Sequence, residues 1–316
     1  MSEIVGFISN YPCTLLVYAT GVYAYSITNL LFKRSDRHWT YGRFLNKLIH
    51  IYKVIAGVGE WSPPALIGLA EVENRYVLEA LLQETPMHRL GYQIIHQESP
   101  DSRGIDVALL FRPDLVSIEH QEFITVALSN GRKTRDILYA QVKLPHQNTV
   151  HFYVNHWPSR YSGTKVSEES RKQAATTLAA HIRRILVKEP DAQILVTGDF
   201  NDAPEDASMQ QLVNQVPLSN ISNYQFVVMH KHHVDCSFLD QWLVSEKWHK
   251  APSPWLIENG RGQDYHPSWL HETDETKLGF MPARTYVGFQ YHGGFSDHLP
   301  VFIRLVSPSR LSSLEK

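Results

Sequence analysis

Four short segments of the sequence place acidic, amide or histidine side chains directly after an apolar run. They read IGLAEVEN, FYVNHWPSR, ILVTGDFNDAP and GGFSDHLPV. In the first segment Glu71 follows the apolar run, and a carboxylate at such a position is a hard oxygen ligand of the kind that Mg²⁺ uses. The alternative interpretation is structural: an acidic residue before a helix whose first turn is capped by Asn74.

The second and third segments supply groups that could handle a phosphate and a proton. His156 could donate a hydrogen bond to a phosphate oxygen, although a histidine at the end of a strand is often structural. Asp199 and Asn201 are two residues apart, so on an extended segment both side chains point to the same side. One could then accept a proton from water while the other orients it. The neighbouring Asp202 is typical of a turn.

The fourth segment contains the adjacent residues Asp297 and His298. Neighbours on a regular strand face opposite sides, so both reach one site only where the backbone bends, which Gly293 and Gly294 permit. A fifth segment, LDQWLVS, supplies Asp240. That carboxylate could orient His298 and stabilise its charged form, as a buried acid does for a catalytic histidine.

The elements that would hold these residues alternate irregularly between strands and helices. Such a pattern favours one α/β domain of stacked sheets over two independent domains. No internal repeat and no low-complexity tract is present. Apolar periodicity and Pro/Gly positions predict helices at 41–55, 75–83 and 167–188, and strands at 14–19, 22–27, 65–70, 92–96, 107–111, 137–144, 150–155, 194–197, 238–244 and 301–305.

Composition narrows the class of protein. The chain has 316 residues, of which 43% are hydrophobic, and only two are cysteines. This excludes a disordered chain and a disulfide scaffold. The net charge of -2 disfavours binding of nucleic acid through a broadly basic surface. The 17 histidines favour an enzyme, because histidine shuttles protons near neutral pH and binds metals.

The first thirty residues are the least typical part of the chain. No charged residue occurs between Glu3 and Lys33, and residues 13–32 are long and apolar enough to be considered as a membrane span. Their Tyr, Val and Thr content favours strands instead. No basic region precedes the apolar run, so no signal peptide is predicted. We therefore expect a cytoplasmic protein, with membrane anchoring through 13–32 as the alternative.

Taken together, AEVEN, NHWPSR, GDFND, LDQWLVS and GGFSDHLP resemble the endonuclease/exonuclease/phosphatase superfamily, and most closely a bacterial branch with the EVEN and GGFSDHLP signatures. The resemblance covers residues 38–305, and the expected domain is the whole chain, 1–316, with 1–35 atypical. It implies a four-layer α/β sandwich of two packed β-sheets flanked by helices. It also implies a metal-dependent phosphoester hydrolase that uses Mg²⁺, with Mn²⁺ as an alternative.

The resemblance assigns roles residue by residue. Glu71 would be the principal metal ligand and Asp297 a second carboxylate beside the metal. Asp199 would orient or deprotonate the attacking water, and Asn201 would position that water and the phosphate. His298, with its partner Asp240, and His156 would bind and neutralise phosphate oxygens. Asp106 would orient His156. The phosphate contacts would be Arg103, Arg135 and Arg160.

The sequence departs from the family at its first strand. The family has an Asn that reaches the metal, whereas this chain has Ser26 at the best-aligned position. Three explanations remain open: Asn29 substitutes through a shifted register, metal binding is weakened, or the first thirty or so residues differ from the start of the family's domain.

The predicted activity is that of a phosphodiesterase or nuclease. The alternatives are a phosphomonoesterase or lipid phosphodiesterase acting on inositol phosphates or sphingomyelin, and a noncatalytic member of the family. The expected partner is a phosphoester substrate such as DNA or RNA, bound by a monomer that needs no protein partner. Trp157, Trp255 and Trp269 could stack on bases or touch lipid. The spacing of His230, His232, His233 and Cys236 fits no standard zinc site, so a solvated loop is expected there.

Overall fold

The structure is a computed structural model that describes residues 13–22, 39–60, 62–160, 163–223, 239–249, 253–274 and 279–307. The α-helices of these ranges are α1 (Tyr41–Gly59), α2 (Arg75–Glu84), α3 (Thr164–Lys188) and α4 (Ala207–Gln215). The strands are β1 (Cys13–Val22), β2 (Leu66–Val72), β3 (Gln93–His96), β4 (Asp106–Phe111), β5 (Ser117–Ile124), β6 (Ile137–Leu144), β7 (Asn148–His156), β8 (Gln193–Asp199), β9 (Leu218–Asn220), β10 (Asp240–Ser245), β11 (Leu256–Ile257), β12 (Gln263–Asp264), β13 (His271–Asp274), β14 (Gly279–Pro282), β15 (Tyr286–Val287), β16 (Gln290–Tyr291) and β17 (Val301–Val306).

Two large sheets organise the described residues. The first has the strand order β11-β17-β1-β2-β4-β3, with β12 also paired to β17, and the second has the order β5-β6-β7-β8-β10-β9. Most neighbours are antiparallel, but β1 is parallel to β2 and β7 is parallel to β8. Each parallel pair requires a long crossover connection. The crossover from β7 to β8 contains α3, and the one from β1 to β2 contains α1.

Alternation of side chains along buried strands builds the four layers. On β4, Val107 and Leu109 pack into the core between the two sheets, whereas Ala108 and Leu110 pack against the helices α1 and α2. The outer face of the second sheet is likewise covered, by the apolar faces of α3 and α4. Strands buried on both faces carry continuous apolar runs, which is why the sequence signal for β4 and β8 is clear. The expected four-layer α/β sandwich is confirmed.

Most predicted elements are present, with ends that differ by a few residues. The helix predicted at 41–55 continues to Gly59. Sequence periodicity missed β5 and α4. Strand β5 lies at a sheet edge and exposes half of its residues, so it lacks an apolar pattern.

The N-terminal apolar segment begins as a strand. Residues 13–22 form β1, which pairs with β2 and β17 in the first sheet, rather than the start of a membrane-spanning helix. The strand predicted at 22–27 lies, beyond Val22, outside the described residues. Among the described helices, none combines the length and apolarity that crossing a membrane requires.

Candidate active site

Sheet register brings three of the predicted site residues to one edge of the second sheet. Strand β8 lies between β7 and β10, and Asp199 at its end is the register partner of His156 on one side and of Asp240 on the other. Strand ends that meet at a shared edge hold their side chains on a rigid frame. Residues distant in the sequence are therefore neighbours because of strand order alone.

The Asp199 carboxylate lies between two histidines. His156 Nε2 is 3.6 Å from Asp199 Oδ2, and His298 Nε2 is 4.0 Å from the same oxygen. The other ring nitrogen of His298, Nδ1, is 2.5 Å from Asp240 Oδ2. We call these four residues the His–Asp cluster. The predicted contact between Asp240 and His298 is present.

Gly198 allows β8 to approach β7 closely enough for this arrangement. Its φ of +134° lies in a region that side chains rarely adopt, and a Cβ there would lie 2.0 Å from the carbonyl oxygen of Asn155. Only glycine accommodates both conditions. The residue before the central carboxylate is therefore constrained by backbone packing.

Asn201 contacts Asp199, but through a turn and not an extended segment. Its φ is +51°, and its backbone N–H donates to Asp199 Oδ1 at 2.8 Å. Its Nδ2 donates to Asp199 Oδ2 at 3.1 Å and to the Trp157 carbonyl at 3.1 Å. Asn201 and Asp199 are in contact as predicted, but the extended backbone on which that prediction rested is wrong. Asn201 holds both oxygens of Asp199 in fixed positions.

Glu71 reaches the site from the first sheet through a local irregularity of β2. The register of β2 shifts between Ala70 and Val72 against β1, and between Leu69 and Val72 against β4. Within this shift Glu71 has a φ of +59°, which is uncommon for a residue with a side chain. Bulges of this kind redirect a side chain, and strained backbone is often retained at functional sites. Asn74 caps α2 by accepting from Val77 N at 3.1 Å, so the predicted cap is also present.

The segment before β17 carries Asp297 and His298 on bent backbone, as the adjacent positions required. Gly293 has a φ of +73°, and a Cβ on Gly294 would lie 2.3 Å from the carbonyl oxygen of Ala283. Phe295 N donates to that carbonyl at 2.6 Å. The bend is thus fixed by close contact with the segment that precedes β15.

Lys47 is a buried cation near the site that sequence reasoning missed. Its Nζ donates to the carbonyl of Phe295 and, at 2.9 Å, to Thr285 Oγ1. Burial lowers the pKa of Lys47 to about 8, against the opposing effect of the Asp297 and Glu71 carboxylates. A usable signal existed: Lys47 follows Phe44 by three residues, on the apolar face of α1, where a solvated lysine is not expected.

Burial and mutual charge perturb the carboxylates of the site. Burial raises the pKa of Asp199 to about 7, with His298 opposing the shift and Asp240 adding to it. Burial and then the negative charge of Asp297 raise the pKa of Glu71. A carboxylate that titrates near neutral pH is suited to accept a proton from water.

The two histidines are perturbed in opposite directions. Burial alone would lower the pKa of His298, but Asp240, Asp199 and Asp297 together raise it well above its ordinary value. Burial, with the charges of nearby arginines, lowers the pKa of His156 well below its ordinary value. At neutral pH His298 is therefore a cation, whereas His156 is neutral and can donate a hydrogen bond without adding charge.

Two clusters of side chains in the described residues could hold a metal ion. Ligand atoms of Asp199, Asp240 and His298 lie within 4.8 Å of one another, as do those of His96, Glu98 and Asp106. Beside the first group, the half-buried Glu71 is destabilised as an anion by Asp297. A divalent cation between carboxylates removes such repulsion, and hard oxygen donors suit Mg²⁺. The donor set therefore fits a divalent cation.

The arginines expected to contact phosphate have different surroundings. Arg135 is buried, pairs with Asp101 at 2.7 Å and donates from Nε to the His156 carbonyl at 3.1 Å. Arg103 is partly exposed and lies 3.6 Å from Asp101. Both are close enough to the site to affect the pKa of His156. Both line a cavity beside the segment that follows His156.

Arg160 instead holds the turn after β8. It donates to the Asn201 carbonyl at 2.6 Å and pairs with Asp202 at 2.9 Å and with Asp206. Asp202 also lies 2.6 Å from Arg171 Nε. Because these carboxylates occupy the guanidinium, the expected phosphate contact of Arg160 is not supported by its surroundings.

Asp106 does not orient His156, so that prediction is wrong. Its Oδ2 lies 3.1 Å from Nε2 of His96, and its Oδ1 accepts from Ser99 N at 2.8 Å. The antiparallel pairing of β3 with β4, in which His96 is the register partner of Ala108, places that histidine within reach. Two predicted residues, Ser26 and Asn29, lie outside the described residues, as do His230, His232, His233 and Cys236.

The tryptophans proposed as stacking groups are mostly structural. Trp157 and Trp255 are each 1% exposed. Trp157 Nε1 donates to Asn155 Oδ1 at 3.1 Å, and Trp255 Nε1 donates to the Pro145 carbonyl at 3.1 Å. Trp269 is only partly buried and packs against Phe295. The first two cannot contact a substrate in this arrangement.

Comparison with known proteins agrees with the geometry. The sequence model of the Endonuclease/Exonuclease/phosphatase family matches residues 26–307, so the chain belongs to this family. No curated protein is significantly similar to the chain in sequence.

Solved structures share the fold at low sequence identity. The mannosyl-6-phosphatase of Bacteroides thetaiotaomicron is 18% identical, with 93% of this chain and 99% of that chain covered and a TM-score of 0.59. The human Nocturnin catalytic domain, solved with a bound sulfate anion, is 15% identical, with 94% of each chain covered and a TM-score of 0.60. D. rerio TDP2, solved with a single-strand DNA product, is 14% identical, with 94% of this chain and 99% of that chain covered and a TM-score of 0.54.

Proposed function

We propose that the protein is a Mg²⁺-dependent phosphoester hydrolase, acting as a phosphodiesterase or nuclease. The observation that carries this proposal is the position of Asp199 between His156 and His298, with the Glu71 and Asp297 carboxylates beside them. Family membership supports the same reaction class. The arrangement combines a proton acceptor, a cation and hydrogen-bond donors around a space where a phosphate could bind.

Asp199 would accept the proton of the attacking water. Its pKa of about 7 in the metal-free protein places it near the pH at which a general base works best. Hydrogen bonds from Asn201 hold both of its oxygens, so the carboxylate is oriented before substrate binds. Positioned bases of this kind contribute about 10²–10⁴-fold to rate.

His298 would bind a non-bridging phosphate oxygen and donate a proton to the leaving group. Because Nδ1 is held by Asp240, the Nε2–H faces Asp199 and the space between the sheets. Its positive charge complements the charge that develops on phosphoryl oxygens. His156, which is neutral, would donate a hydrogen bond to the phosphate from Nε2 and adds no charge of its own.

Glu71 and Asp297 would hold the divalent cation, with Mn²⁺ as a substitute for Mg²⁺. When bound, such an ion supplies positive charge to the phosphoryl oxygens. Asp297 and Glu71 are also the carboxylates that act on buried Lys47. The local positive field of Lys47 and His298 explains how a chain with a net charge of -2 could handle an anionic substrate.

A phosphomonoesterase is the second candidate. Its motivation is the shared fold with the mannosyl-6-phosphatase, whereas the TDP2 structure with its DNA product motivates the diesterase. The groups described above would serve either substrate, since both reactions place a water opposite a leaving oxygen.

The decisive experiment compares substrates and metals on the full chain. We expect hydrolysis of bis-p-nitrophenyl phosphate or plasmid DNA with Mg²⁺, little hydrolysis of p-nitrophenyl phosphate, and none with excess EDTA. The reverse preference between the two nitrophenyl substrates would select the phosphomonoesterase. Asp199→Asn should lower kcat by about 10²–10⁴-fold.

Asp114→Asn is the matched control. Asp114 follows β4 at the end opposite Asp106, and its side chain is 55% exposed beside Arg112. Its removal should leave kcat unchanged. Activity that persists in EDTA would overturn the role of the metal. No turnover on any of these substrates with either metal would favour the noncatalytic alternative.

A further inference from the structure

A cavity of about 600 Å³ lies beside the segment that follows β7, the strand that ends in His156. Its wall includes Arg135, together with Pro158 and Ser159, which follow His156 by two and three residues. Arg135 Nε donates to the His156 carbonyl at 3.1 Å, and a second guanidinium nitrogen donates to the Trp157 carbonyl. Arg135 thus connects the wall of the cavity to the backbone at the end of β7, where His156 of the cluster lies.

Cationic side chains dominate the lining of this cavity. Four are present, Arg103, Arg132, Lys133 and Arg135, against the single carboxylate of Asp101. That carboxylate is already engaged by Arg135 at 2.7 Å and lies 3.6 Å from Arg103.

Two of the cations have no carboxylate partner among the described residues. Both Arg132 and Lys133 are exposed and lie in the connection between β5 and β6. Cations on an exposed loop are commonly only solvated. Here, however, they share the cavity with the buried Arg135, which is paired with Asp101 and donates to the His156 carbonyl.

Hydroxyl groups supply the hydrogen-bond donors that an anion needs. The Thr134 hydroxyl is buried and has no hydrogen-bond partner among the described residues, and Thr134 is 3% exposed. Buried polar atoms without partners are uncommon and call for an explanation. A further hydroxyl comes from Ser170 on α3, whereas that of Ser167 donates to the Gly163 carbonyl at 2.8 Å. Ser102 and Ser159 complete the set.

The size of the cavity distinguishes between possible occupants. Pockets for small ligands occupy roughly 300–1,000 Å³, so the volume of this cavity suits a small molecule better than a long polymer. Guanidinium groups and hydroxyls together match the geometry of phosphate oxygens.

We infer that this cavity binds a second phosphate group, carried by a small substrate whose scissile phosphoester lies at the His–Asp cluster. This inference rests on the proposed function, because it extends the same site. It specifies the substrate class as a small phosphoester with an additional terminal phosphate, and it assigns Arg132, Lys133 and Thr134 to specificity.

The test uses two chromogenic diesters that differ in one phosphate. These are thymidine 5′-(p-nitrophenyl phosphate) and the same compound with a 3′-phosphate. We expect the second to have a kcat/KM at least about tenfold higher, mainly through KM, since charge-assisted hydrogen bonds to a bound anion are strong. The double variant Arg132→Ala/Lys133→Ala should remove this preference and leave kcat on the first compound unchanged.

The matched control is Arg184→Ala/Lys188→Ala. Both residues are exposed cations on α3, more than about 20 Å along the helix from Ser170. Equal loss in the control would show an effect of net charge and would overturn the assignment. Equal kcat/KM for both compounds in the wild-type protein would overturn it directly. Loss of binding to plasmid DNA alone, without a change on the two diesters, would point to a polymer contact and also contradict it.

A binding measurement separates this inference from the proposed function. Calorimetric titration compares thymidine 3′,5′-bisphosphate with thymidine 5′-monophosphate and requires no turnover. We expect at least about tenfold tighter binding of the bisphosphate, and loss of the difference in the double variant. If hydrolysis fails on every substrate but this difference holds, only the proposed reaction is wrong. If the two ligands bind equally, the cavity assignment is wrong whatever the activity.

Discussion

Nδ1 of His298 lies 2.5 Å from Oδ2 of Asp240, while Nε2 of the same ring lies 4.0 Å from Asp199. One carboxylate therefore holds the ring and the other faces its second nitrogen. The two contacts join sheets: His298 precedes β17 of the first sheet, and Asp240 begins β10 of the second. The charge of His298 depends on this contact between sheets.

Asp240→Asn should lower the pKa of His298. Asp240 is the main group that raises this pKa, and burial, which remains in the variant, lowers it. The ring should then lose its proton at a lower pH, which two-dimensional NMR of the histidine ring protons can follow. We also expect kcat to fall by about 10²-fold or more. An unchanged titration would show that Asp240 does not set the charge of His298.

Asp199→Asn should change how stability depends on pH. Because burial raises the pKa of Asp199 from an ordinary 3.8 to about 7, the folded state holds a proton that the unfolded chain has released. The wild-type protein should therefore lose stability as pH rises from about 4 to about 7, on the order of a few kcal/mol.

The variant has no proton to lose at this position, so this part of the pH dependence should disappear. Measured in EDTA, the free energy of unfolding of Asp199→Asn minus that of the wild type should increase as pH rises from about 4 to about 7. The difference should be smallest near pH 4 and constant above pH 7. Parallel curves for the two proteins would show that Asp199 titrates at its ordinary pKa.

Sequence alone could identify the strand ends, because β7 and β8 are buried on both faces and carry short apolar runs, 152–154 and 194–196, shortly before His156 and Asp199. It could not give the partner of Asp106, which depends on the register of β3 against β4. Nor could it give the left-handed backbone of Asn201, since that residue type also occurs on extended segments. Helical periodicity marks apolar positions, so it missed Lys47, a charged residue on a buried face.

Lys47→Met should loosen the segment that carries Asp297 and His298. The substitution keeps a long apolar side chain but removes the donor to the Phe295 carbonyl and to Thr285. A hydrogen bond from a charged group contributes about 1.5–3 kcal/mol. Amide exchange at Gly294 and Phe295, which donate to neighbouring carbonyls, should accelerate by roughly tenfold or more.

Lys53→Met is the control on the same helix. Lys53 is exposed and lies over the Trp269 ring at 4.4 Å and over the Phe295 ring at 5.7 Å, but it is not the donor to the Phe295 carbonyl, so its removal leaves that carbonyl satisfied. Exchange at residues 294 and 295 should match the wild type. Equal acceleration in both variants would mean that α1 itself, and not the Lys47 contact, holds the segment.

Gly198→Ala should prevent the strand packing on which the site depends. A methyl group there would lie 2.0 Å from the Asn155 carbonyl oxygen, at a φ of +134°, so either β7 or β8 must shift. We expect destabilisation by roughly 3 kcal/mol or more, measured by urea unfolding, since a backbone clash adds to the conformational strain.

Gly104→Ala separates the effect of the clash from that of the strain. Gly104 also has a positive φ, of +62°, but its Cβ would meet no atom within 4 Å, so its substitution should cost about 1 kcal/mol. Equal losses in the two variants would mean that the conformation, and not the close approach to β7, requires glycine at position 198.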